Sequence, residues 1–416
     1  MRTFPLLGLV IAVSVSLVTN YGDAQVIPLQ PIGPGVGKKP FADVPTTHEQ
    51  IADVKVQSSD GKHKLQTIGM DSNGRILGLT APPKSFGLPM KDVTSEVHIF
   101  TSDGKPAMSW KVNFHANAIA GGRDGYIFVA GDGKIARFDG QGNDSAVTDL
   151  PHIKELLADG AGIRKKAEEQ LKAQRDSFTK STQLFKDRAK TLEDKKEEDR
   201  TDLEKRQLVQ YRQILKSYEQ TEKFYAAMSV DTIISQMTSR LRTINAITIS
   251  AKDIFFATGD TKGYGYSIWR MDHEFKNAKL ILSGIGGCCG QMDVQVAGED
   301  LLVAENTKHR FVRYTRDGKE IGAFGKRQIV GNEVECFGGC CNPMNVCAAS
   351  TGDIFTAESE GILKRFSAKG DFLGVVATTT LSGGCKNVAF AVTRDESRIY
   401  FLDLPGSRVL ILAKKK

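Results

Sequence analysis

Apolar and polar positions alternate in short runs along the C-terminal part of the chain, and these runs recur as a unit. One copy spans 291–325, the next 342–376 and a third 386–415. A period of two is typical of β-strands, and four short antiparallel strands in roughly 35 to 50 residues match a propeller blade. In every copy the second run ends in an acid: Glu305, Glu358 or Asp403. We expect these acids to tie turns together.

Three weaker copies of the unit lie upstream: one begins at Asn245, one begins at Ala116, and one covers 65–112. They bring the predicted number of blades to six. A strand at 51–56 could pair with the last blade and close the ring, which would remove the exposed strand edges of an open sheet. Because the blade at 65–112, the first along the chain, is irregular, five or seven blades remain as alternatives.

A different period governs residues 162–228, which are rich in helix-forming residues. Apolar residues recur there at steps of three, four or seven: Leu171, Phe178, Phe185 and Leu192, then Leu208, Tyr211, Leu215, Tyr218 and Tyr225, with the position of Glu222 skipped. Two such seams separated by a polar crossing at 195–201 predict an antiparallel helical hairpin, with one continuous helix as the alternative. A short amphipathic helix capped by Ser229 should follow.

The N-terminal segment has the plan of a secretory signal. Arg2 precedes an apolar run at 6–18, and Gly22 and Ala24 fit a cleavage site before Gln25. An uncleaved anchor is the alternative, but the run of 13 residues is short for a membrane span of about 20. We therefore expect an extracytoplasmic protein, located in the periplasm, the cell envelope or the medium, whose mature chain has no transmembrane segment.

Composition supports this division of the chain. No Gly occurs between Gly162 and Gly259, and no Cys occurs before Cys288. The predicted parts are a signal peptide at 1–24, a proline-rich linker at 25–50, propeller segments at 51–150 and 245–416, and a helical insertion at 151–244. The net charge of +7 is mild for 416 residues, and no basic stripe with interleaved aromatics is present, so we expect no nucleic-acid partner.

The repeated unit reads P-x-x-(I/V)-A-x-(S/D)-x-G-(D/N)-I-(F/Y), followed by (V/T)-A-(D/E) and a later (R/K)-(F/Y). Residues 343–370 and 292–318 carry it best, and it resembles the NHL repeat of six-bladed propellers in the TolB-like superfamily. The resemblance implies an all-β fold of six four-stranded blades, here interrupted by the helical hairpin. It implies function weakly, since the relatives include scaffolds, ligand-binding modules and a few lyases or lactonases.

Five of the seven cysteines lie in repeated G-G-C loops before the first strand of a blade: Cys288, Cys289, Cys340, Cys341 and Cys385. Since first strands line the channel of a propeller, these sulfurs should meet at one rim. Disulfides between neighbouring loops are the favoured interpretation, because directly adjacent cysteines have Cα atoms about 3.8 Å apart, below the usual disulfide range. A copper or iron–sulfur site with Met292 and Met344 as further ligands is the alternative, and reactive thiols are a third reading.

Several blades begin their first strand with a polar side chain that should line the channel: Asn117, Asn245, Asp293, Asn345 and Asn387, with His115 in a preceding loop. Gluconolactonase-like propellers hold a divalent cation with similar groups, and such oxygens can bind Ca²⁺. Because this set is mostly neutral amides, hydrogen bonding between blades is favoured over a cation site. Lyase-type relatives need several imidazoles, and only His115 is placed to reach the rim.

The chain contains no nucleophile elbow, phosphate-binding loop or H-E-x-x-H motif, which favours binding over catalysis. We therefore expect a scaffold that binds a protein or a small ligand at the propeller face. The helical insertion would serve as a docking arm, or as a coiled coil that forms a homodimer. No cofactor is favoured. The alternative is a metal-binding or redox propeller that uses the cysteine loops, and a lactonase or lyase is less favoured.

Overall fold

The computed structural model describes residues 41, 43–83, 93–260, 265–288, 290–329, 333–381 and 388–416. The predicted signal peptide and most of the predicted linker lie outside these ranges, as do Cys289, Cys385 and Asn387. Within the described ranges, no helix is long and apolar enough to cross a membrane.

The strands before the insertion form two complete blades and β1, which belongs to the last blade. β1 is His48–Lys55. Blade 1 consists of β2 (Lys64–Met70), β3 (Ile76–Ala81), β4 (Ser95–Phe100) and β5 (Pro106–Val112), and blade 2 of β6 (Ala118–Gly121), β7 (Ile127–Gly131), β8 (Lys134–Phe138) and β9 (Asp144–Asp149).

Four helices follow blade 2 and form the insertion: α1 (Pro151–Ala158), α2 (Gly160–Glu193), α3 (Asp202–Ala227) and α4 (Val230–Arg242). Blade 3 then consists of β10 (Ile244–Ile249), β11 (Asp253–Gly259), β12 (Tyr266–Asp272) and β13 (Lys279–Ile285). Blade 4 consists of β14 (Asp293–Ala297), β15 (Asp300–Glu305), β16 (Arg310–Thr315) and β17 (Glu320–Phe324). Blade 5 consists of β18 (Asn345–Ala348), β19 (Ile354–Ala357), β20 (Ile362–Phe366) and β21 (Phe372–Thr378), and blade 6 of β22 (Phe390–Val392), β23 (Arg398–Asp403) and β24 (Arg408–Lys414).

The six sheets close into a ring. Each first strand contacts the first strand of the next blade, in the order β2, β6, β10, β14, β18, β22 and back to β2. Blade 6 receives its fourth strand from the N-terminal side, since β1 pairs antiparallel with β24, with Asp53 opposite Leu410. The six-bladed propeller and its closure by an early strand are therefore confirmed, although this strand begins three residues before the predicted one.

The hydrophobic core lies between neighbouring blades. The second strands, such as β3, β7 and β15, are almost entirely buried because they are covered on both faces. The outermost strands, such as β5 and β13, expose most of their residues. One core cluster joins blades 1 and 2, and another joins blades 5 and 6. The blades are thus held together mainly by apolar packing between sheets.

Arginines on third strands add a polar contact between consecutive blades. Each sits near the middle or end of its strand and reaches a group of the next blade. The four contacts join Arg137 Nη1 to His273 O (2.9 Å), Arg270 Nη1 to Asp317 Oδ1 (3.2 Å), Arg313 Nη1 to Ala368 O (3.3 Å) and Arg365 Nη1 to Glu396 Oε2 (2.9 Å). Three of these arginines also pair with an acid at the start of the second strand of their own blade or directly before it.

The insertion is a helical hairpin, as one of the two readings of the sequence predicts. The rings of Phe178 on α2 and Tyr218 on α3 lie 5.3 Å apart, and those of Phe185 and Tyr211 lie 5.9 Å apart, so the helices run antiparallel. α2 has 34 residues, which at 1.5 Å per residue is about 50 Å. We call α2 and α3 together the helical arm.

The chain reverses between α2 and α3 because Arg200 satisfies the end of α2. Its guanidinium donates to the carbonyls of Leu192 (2.7 Å) and Glu193 (2.8 Å), which the end of the helix leaves without intrahelical partners, and to that of Lys195 (2.7 Å) just beyond it. Thr201 and Glu204 then form a capping box that starts α3. The polar crossing seen in the sequence therefore contains a helix stop and a helix start.

The base of the insertion is anchored on blades 2 and 3. His152 of α1 is buried, and its Nε2 lies 2.8 Å from the Leu241 carbonyl at the end of α4. Its ring lies 5.9 Å from those of Phe256 and Trp269 in blade 3. Burial lowers the pKa of His152 to about 4, so the imidazole is neutral at pH 7.

Candidate functional site

The polar side chains at the starts of the first strands join neighbouring blades. Asn117 of blade 2 donates to the Ile244 carbonyl of blade 3, and Asn245 of blade 3 donates to the Gly290 carbonyl before blade 4 at 2.6 Å. These contacts match the hydrogen-bonding role that the sequence favours over a cation site. Each contact uses one of the two N–H donors of the side-chain amide.

Gln291 continues this set at one end of the channel, and sequence reasoning missed it. Its Nε2 donates to Asn345 Oδ1 of blade 5 (2.8 Å) and to the Val388 carbonyl before β22 of blade 6 (2.6 Å). The Val388 amide in turn donates to Gln291 Oε1 at 3.1 Å. One buried side chain thus joins three blades. The only signal in the sequence is its place between the G-G-C-C loop and Met292.

Asp293 lies two residues further on and is buried at the same inner edge. Its Oδ2 accepts a hydrogen bond from the Val346 amide of blade 5 at 2.9 Å, and Gln295 Nε2 approaches its Oδ1 at 3.2 Å. Burial outweighs these hydrogen bonds and raises the pKa of Asp293 to about 6. A carboxyl group that titrates near neutrality is therefore placed between blades 4 and 5.

The remaining predicted channel residues have defined surroundings. Asn345 is buried and accepts the hydrogen bond from Gln291. His115 is also buried, and its Nε2 lies 3.0 Å from the Pro82 carbonyl of blade 1. Asn387 lies outside the described residues. Among the described residues, the side chains predicted to line the channel mainly form hydrogen bonds with other groups of the protein.

The acids that end the second strands form ion pairs within their turns, as expected. Glu305 Oε2 lies 2.5 Å from Arg310 Nε, and Asp403 Oδ2 lies 2.9 Å from Arg408 Nε. In blade 5 the corresponding ion pair is buried and joins Glu358 to Lys364. Burial raises the pKa of Glu358 and the charge of Lys364 opposes that shift, so a lysine with a fully buried side chain balances a buried acid.

This buried pair also holds the cysteine loop of blade 5, residues 336–342. Glu358 Oε2 accepts from the Gly338 amide at 3.1 Å, and Lys364 Nζ donates to the Cys336 carbonyl at 2.5 Å. On the other side, Asn342 donates to the Gly338 carbonyl at 2.9 Å and accepts from the Ser359 amide at 2.9 Å. The loop is therefore fixed at both ends by buried groups.

Steric crowding explains why glycines precede the cysteines. A Cβ on Gly287 would lie 2.3 Å from a ring carbon of Tyr266. Gly339 has a φ of +66°, and a Cβ there would lie 2.6 Å from Glu360 Oε1. Both positions exclude side chains, so the repeated G-G-C pattern reflects the tight path of the loop.

The cysteine loops of blades 4 and 5 approach each other. Cys341 is buried in the core between blades 5 and 6, and Cys288 packs against the same cluster. Cys340 is exposed, and its sulfur lies 3.0 Å from that of Cys341. Met292 and Met344 are fully buried, Met292 in the core between blades 3 and 4 and Met344 in the core between blades 5 and 6. Among the described residues, no three His, Cys, Asp or Glu side chains are arranged to hold a metal.

Two further cysteines, Cys336 and Cys347, lie outside the Cys340–Cys341 pair. Cys336 is buried at the start of its loop, and burial raises the pKa of its thiol. Cys347 lies in β18, where the surrounding residues desolvate its sulfur and raise its pKa to about 12. Neither thiol forms an appreciable thiolate at neutral pH.

A second candidate surface lies on the helical arm. A groove between the two helices is lined in part by Phe178, Thr182, Glu222 and Tyr225. It lies where the sequence skips an apolar seam position at Glu222. On α3, Leu203, Val209 and Phe224 are 65%, 55% and 59% exposed, respectively.

No family model matches this chain, and no curated protein matches it. Among solved structures, it is similar to a gluconolactonase from Xanthomonas campestris at 10% identity and a TM-score of 0.44, covering 89% of this chain and 97% of that one. It is also similar to the WD40 β-propeller domain of Doa1 (9% identity, TM-score 0.42, 89% and 98% covered) and to a protein of unknown function from Bacteroides thetaiotaomicron (10% identity, TM-score 0.46, 90% and 74% covered). At this level of similarity these structures carry no argument about function.

Proposed function

We propose that the chain is an extracytoplasmic, NHL-like propeller that acts as a binding scaffold, with the helical arm as the element that docks a protein partner. The observation that carries this proposal is the outward face of α3. Its three exposed apolar residues, Leu203, Val209 and Phe224, fall within about 120° of the helix circumference at 100° per residue. The seam that packs on α2 lies on the opposite side.

The rest of this face supports the same role. Arg206 lies on this face between Leu203 and Val209, but between Val209 and Phe224 the other positions are polar and uncharged, and they include Gln210, Gln213 and Ser217. A solvated helix face normally carries charges, so an uncharged stripe with apolar anchors is typical of a helix that contacts a partner.

Charge indicates the chemistry of that partner. Lys205, Lys216 and Lys223 border the stripe on one side, within about 20° of one another, and all three are exposed. Within the described part of the chain, none of them forms an ion pair. An amphipathic helix with acidic residues along one edge would complement both the stripe and this row. In an antiparallel pairing of two α3 helices centred near residue 214, Lys205 would face Lys223, which disfavours a second copy in that arrangement.

Site-specific photocrosslinking of the full chain tests the docking role. A photoreactive residue at Val209 should capture a different protein from the native extracytoplasmic fraction, whereas one at Leu373, which is 53% exposed on blade 5, should not. Changing the three bordering lysines to glutamate should abolish capture while leaving the propeller folded. Equal capture at both positions would overturn the docking role. A product of twice the mass of the chain would replace it with the homodimer alternative.

The extracytoplasmic location rests on the N-terminal sequence and has its own test. Expression of the full chain with export enabled should yield a protein whose N-terminus is Gln25. Retention of Met1 on a protein that stays in the cytoplasm would contradict this part of the proposal.

A further inference from the structure

The two adjacent cysteines of blade 5 are placed for thiol chemistry, which the proposed binding role does not require. The sulfurs of Cys340 and Cys341 lie 3.0 Å apart, about 1 Å beyond a covalent S–S bond. Cys340 is exposed, whereas the side chain of Cys341 is buried. An incoming reactant can therefore reach the first sulfur, and the second lies directly behind it.

We propose that Cys340 and Cys341 form a reversible two-electron thiol–disulfide couple, a site modified by disulfide-bearing oxidants. Cys340 attacks one sulfur of an oxidant R–S–S–R′, forms a mixed disulfide with R and releases R′–SH. Cys341 then attacks Cys340 Sγ, which forms the Cys340–Cys341 bond and releases R–SH. The two cysteine sulfurs are oxidised, the oxidant disulfide is reduced to two thiols, and the two cysteine protons end on those thiols.

The loop favours closure within the pair over separation of the two cysteines. Glu358, Lys364 and Asn342 hold the backbone on both sides through buried hydrogen bonds. Cys341 is packed in the core between blades 5 and 6 and cannot turn outward without opening that core. A mixed disulfide on Cys340 thus meets its resolving thiol at the next position of the same loop.

Two features make the couple labile rather than structural. Adjacent residues have Cα atoms about 3.8 Å apart, below the usual 4.4 to 6.8 Å of disulfides, so the bond is strained and easily reduced. It is also exposed on the Cys340 side. Strained and exposed disulfides have more oxidising potentials than structural ones. The elevated pKa values of Cys336 and Cys347 leave these two thiols as poor competitors in the same segment.

The test uses the full chain equilibrated in glutathione buffers of varied ratio, followed by alkylation and mass spectrometry of the tryptic segment 328–364. In oxidising buffer the segment should lose the mass of two hydrogen atoms, with Cys336 and Cys347 alkylated and Cys340 and Cys341 protected. The change should reverse in reducing buffer. Alkylation of Cys340 at every ratio would overturn the proposal, and so would fragments that join Cys340 or Cys341 to Cys288, Cys289 or Cys385.

Single substitutions separate the two roles. Cys341→Ser should accumulate one glutathione adduct on Cys340, because the resolving thiol is gone. Cys340→Ser, at an exposed position, should show neither the adduct nor the loss of two hydrogens. Cys347→Ser is the matched control and should behave as the parent chain does. An adduct of equal yield in the parent chain and in Cys341→Ser would show that Cys341 does not resolve it and would overturn the proposal.

Discussion

The side-chain amide of Gln291 forms a two-way hydrogen bond with the backbone of Val388, although the two residues belong to blades that are not neighbours. Nε2 donates to the Val388 carbonyl at 2.6 Å, and Oε1 accepts from the Val388 amide at 3.1 Å. A primary amide is the group that satisfies a backbone N–H and C=O together. The contact therefore joins blade 4 to blade 6 past the start of blade 5.

Gln291→Leu should lower the free energy of unfolding by about 2 to 6 kcal/mol. Leucine has a similar size but leaves the buried Val388 amide and carbonyl without a partner, and each loss costs about 1 to 3 kcal/mol. Urea unfolding followed by fluorescence measures the change. Gln295→Leu is the matched control, since the side chain of Gln295 has a single hydrogen bond within the described ranges, at 3.2 Å to Asp293, and the change should cost less than half as much. Equal costs would show that Gln291 does not join the blades energetically.

Asp293 should make the fold less stable as the pH rises. Its pKa is raised from 3.8 in the unfolded chain to about 6 by burial, so the folded state holds the proton more tightly. Its contribution is fully present below pH 3.8 and is lost as the pH rises through 6. The loss approaches about 3 kcal/mol at most, at 1.36 kcal/mol per pKa unit.

Asp293→Asn removes this titration and keeps an oxygen that can accept from the Val346 amide. The variant should therefore be more stable than the parent at pH 8, and this advantage should shrink or reverse at pH 4. Unfolding in urea at both pH values measures it. An advantage of the same size at both pH values would contradict the assignment of this titration to Asp293.

His152 should act in the opposite direction at the base of the insertion. Burial lowers its pKa from 6.5 to about 4, so the unfolded chain binds the proton more tightly than the folded one. Its contribution is fully present above pH 6.5 and is lost as the pH falls towards 4, with a maximum of about 3 kcal/mol. In His152→Gln the stability should vary less between pH 7 and pH 4 than in the parent chain. Hydrogen exchange at α1 and α4 in both chains locates the change, and an unaltered pH dependence there would contradict it.

The sequence predicted the features that depend on local patterning. Alternation located the strands, the acids Glu305, Glu358 and Asp403 located turn ion pairs, and the heptads located the helical hairpin. The skipped seam position at Glu222 corresponds to the groove beside Phe178 and Tyr225. Each of these features is determined by residues that are close in the chain or by a regular spacing of apolar residues along it.

The contacts between blades could not be predicted in the same way. Gln291 and Val388 are 97 positions apart, and nothing in either local sequence specifies the other. The same holds for Lys364. In blades 4 and 6 the acid pairs with the arginine that starts the third strand, whereas Lys364 is the third residue of its strand, and nothing in the sequence shows that its side chain is fully buried beneath a cysteine loop. The sequence placed the cysteines in equivalent loops, but only the structure distinguishes exposed Cys340 from buried Cys341.

The arginines that join consecutive blades should stabilise the fold more than an exposed arginine that joins α2 to α4. Arg365 contacts Asp353 at 2.7 Å and Glu396 at 2.9 Å, and the side chain of Glu396 is only 9% exposed. Arg365→Ala would leave that acid largely buried without its partner, so it should cost about 1 to 2 kcal/mol in the free energy of unfolding. The measurement is urea unfolding of the full chain at pH 7.

Arg164→Ala provides the comparison for Arg365→Ala, because Arg164 pairs with Asp231 at a similar distance of 2.9 Å while both side chains are exposed. Water screens that pair, so its loss should change the free energy of unfolding by about 0.5 kcal/mol or less. A double variant of Arg365 and Glu396 to alanine should recover part of the loss, because it removes the unpaired carboxylate as well. If Arg365→Ala costs no more than Arg164→Ala, packing alone holds blades 5 and 6 together and the arginine contact is not a stabilising one.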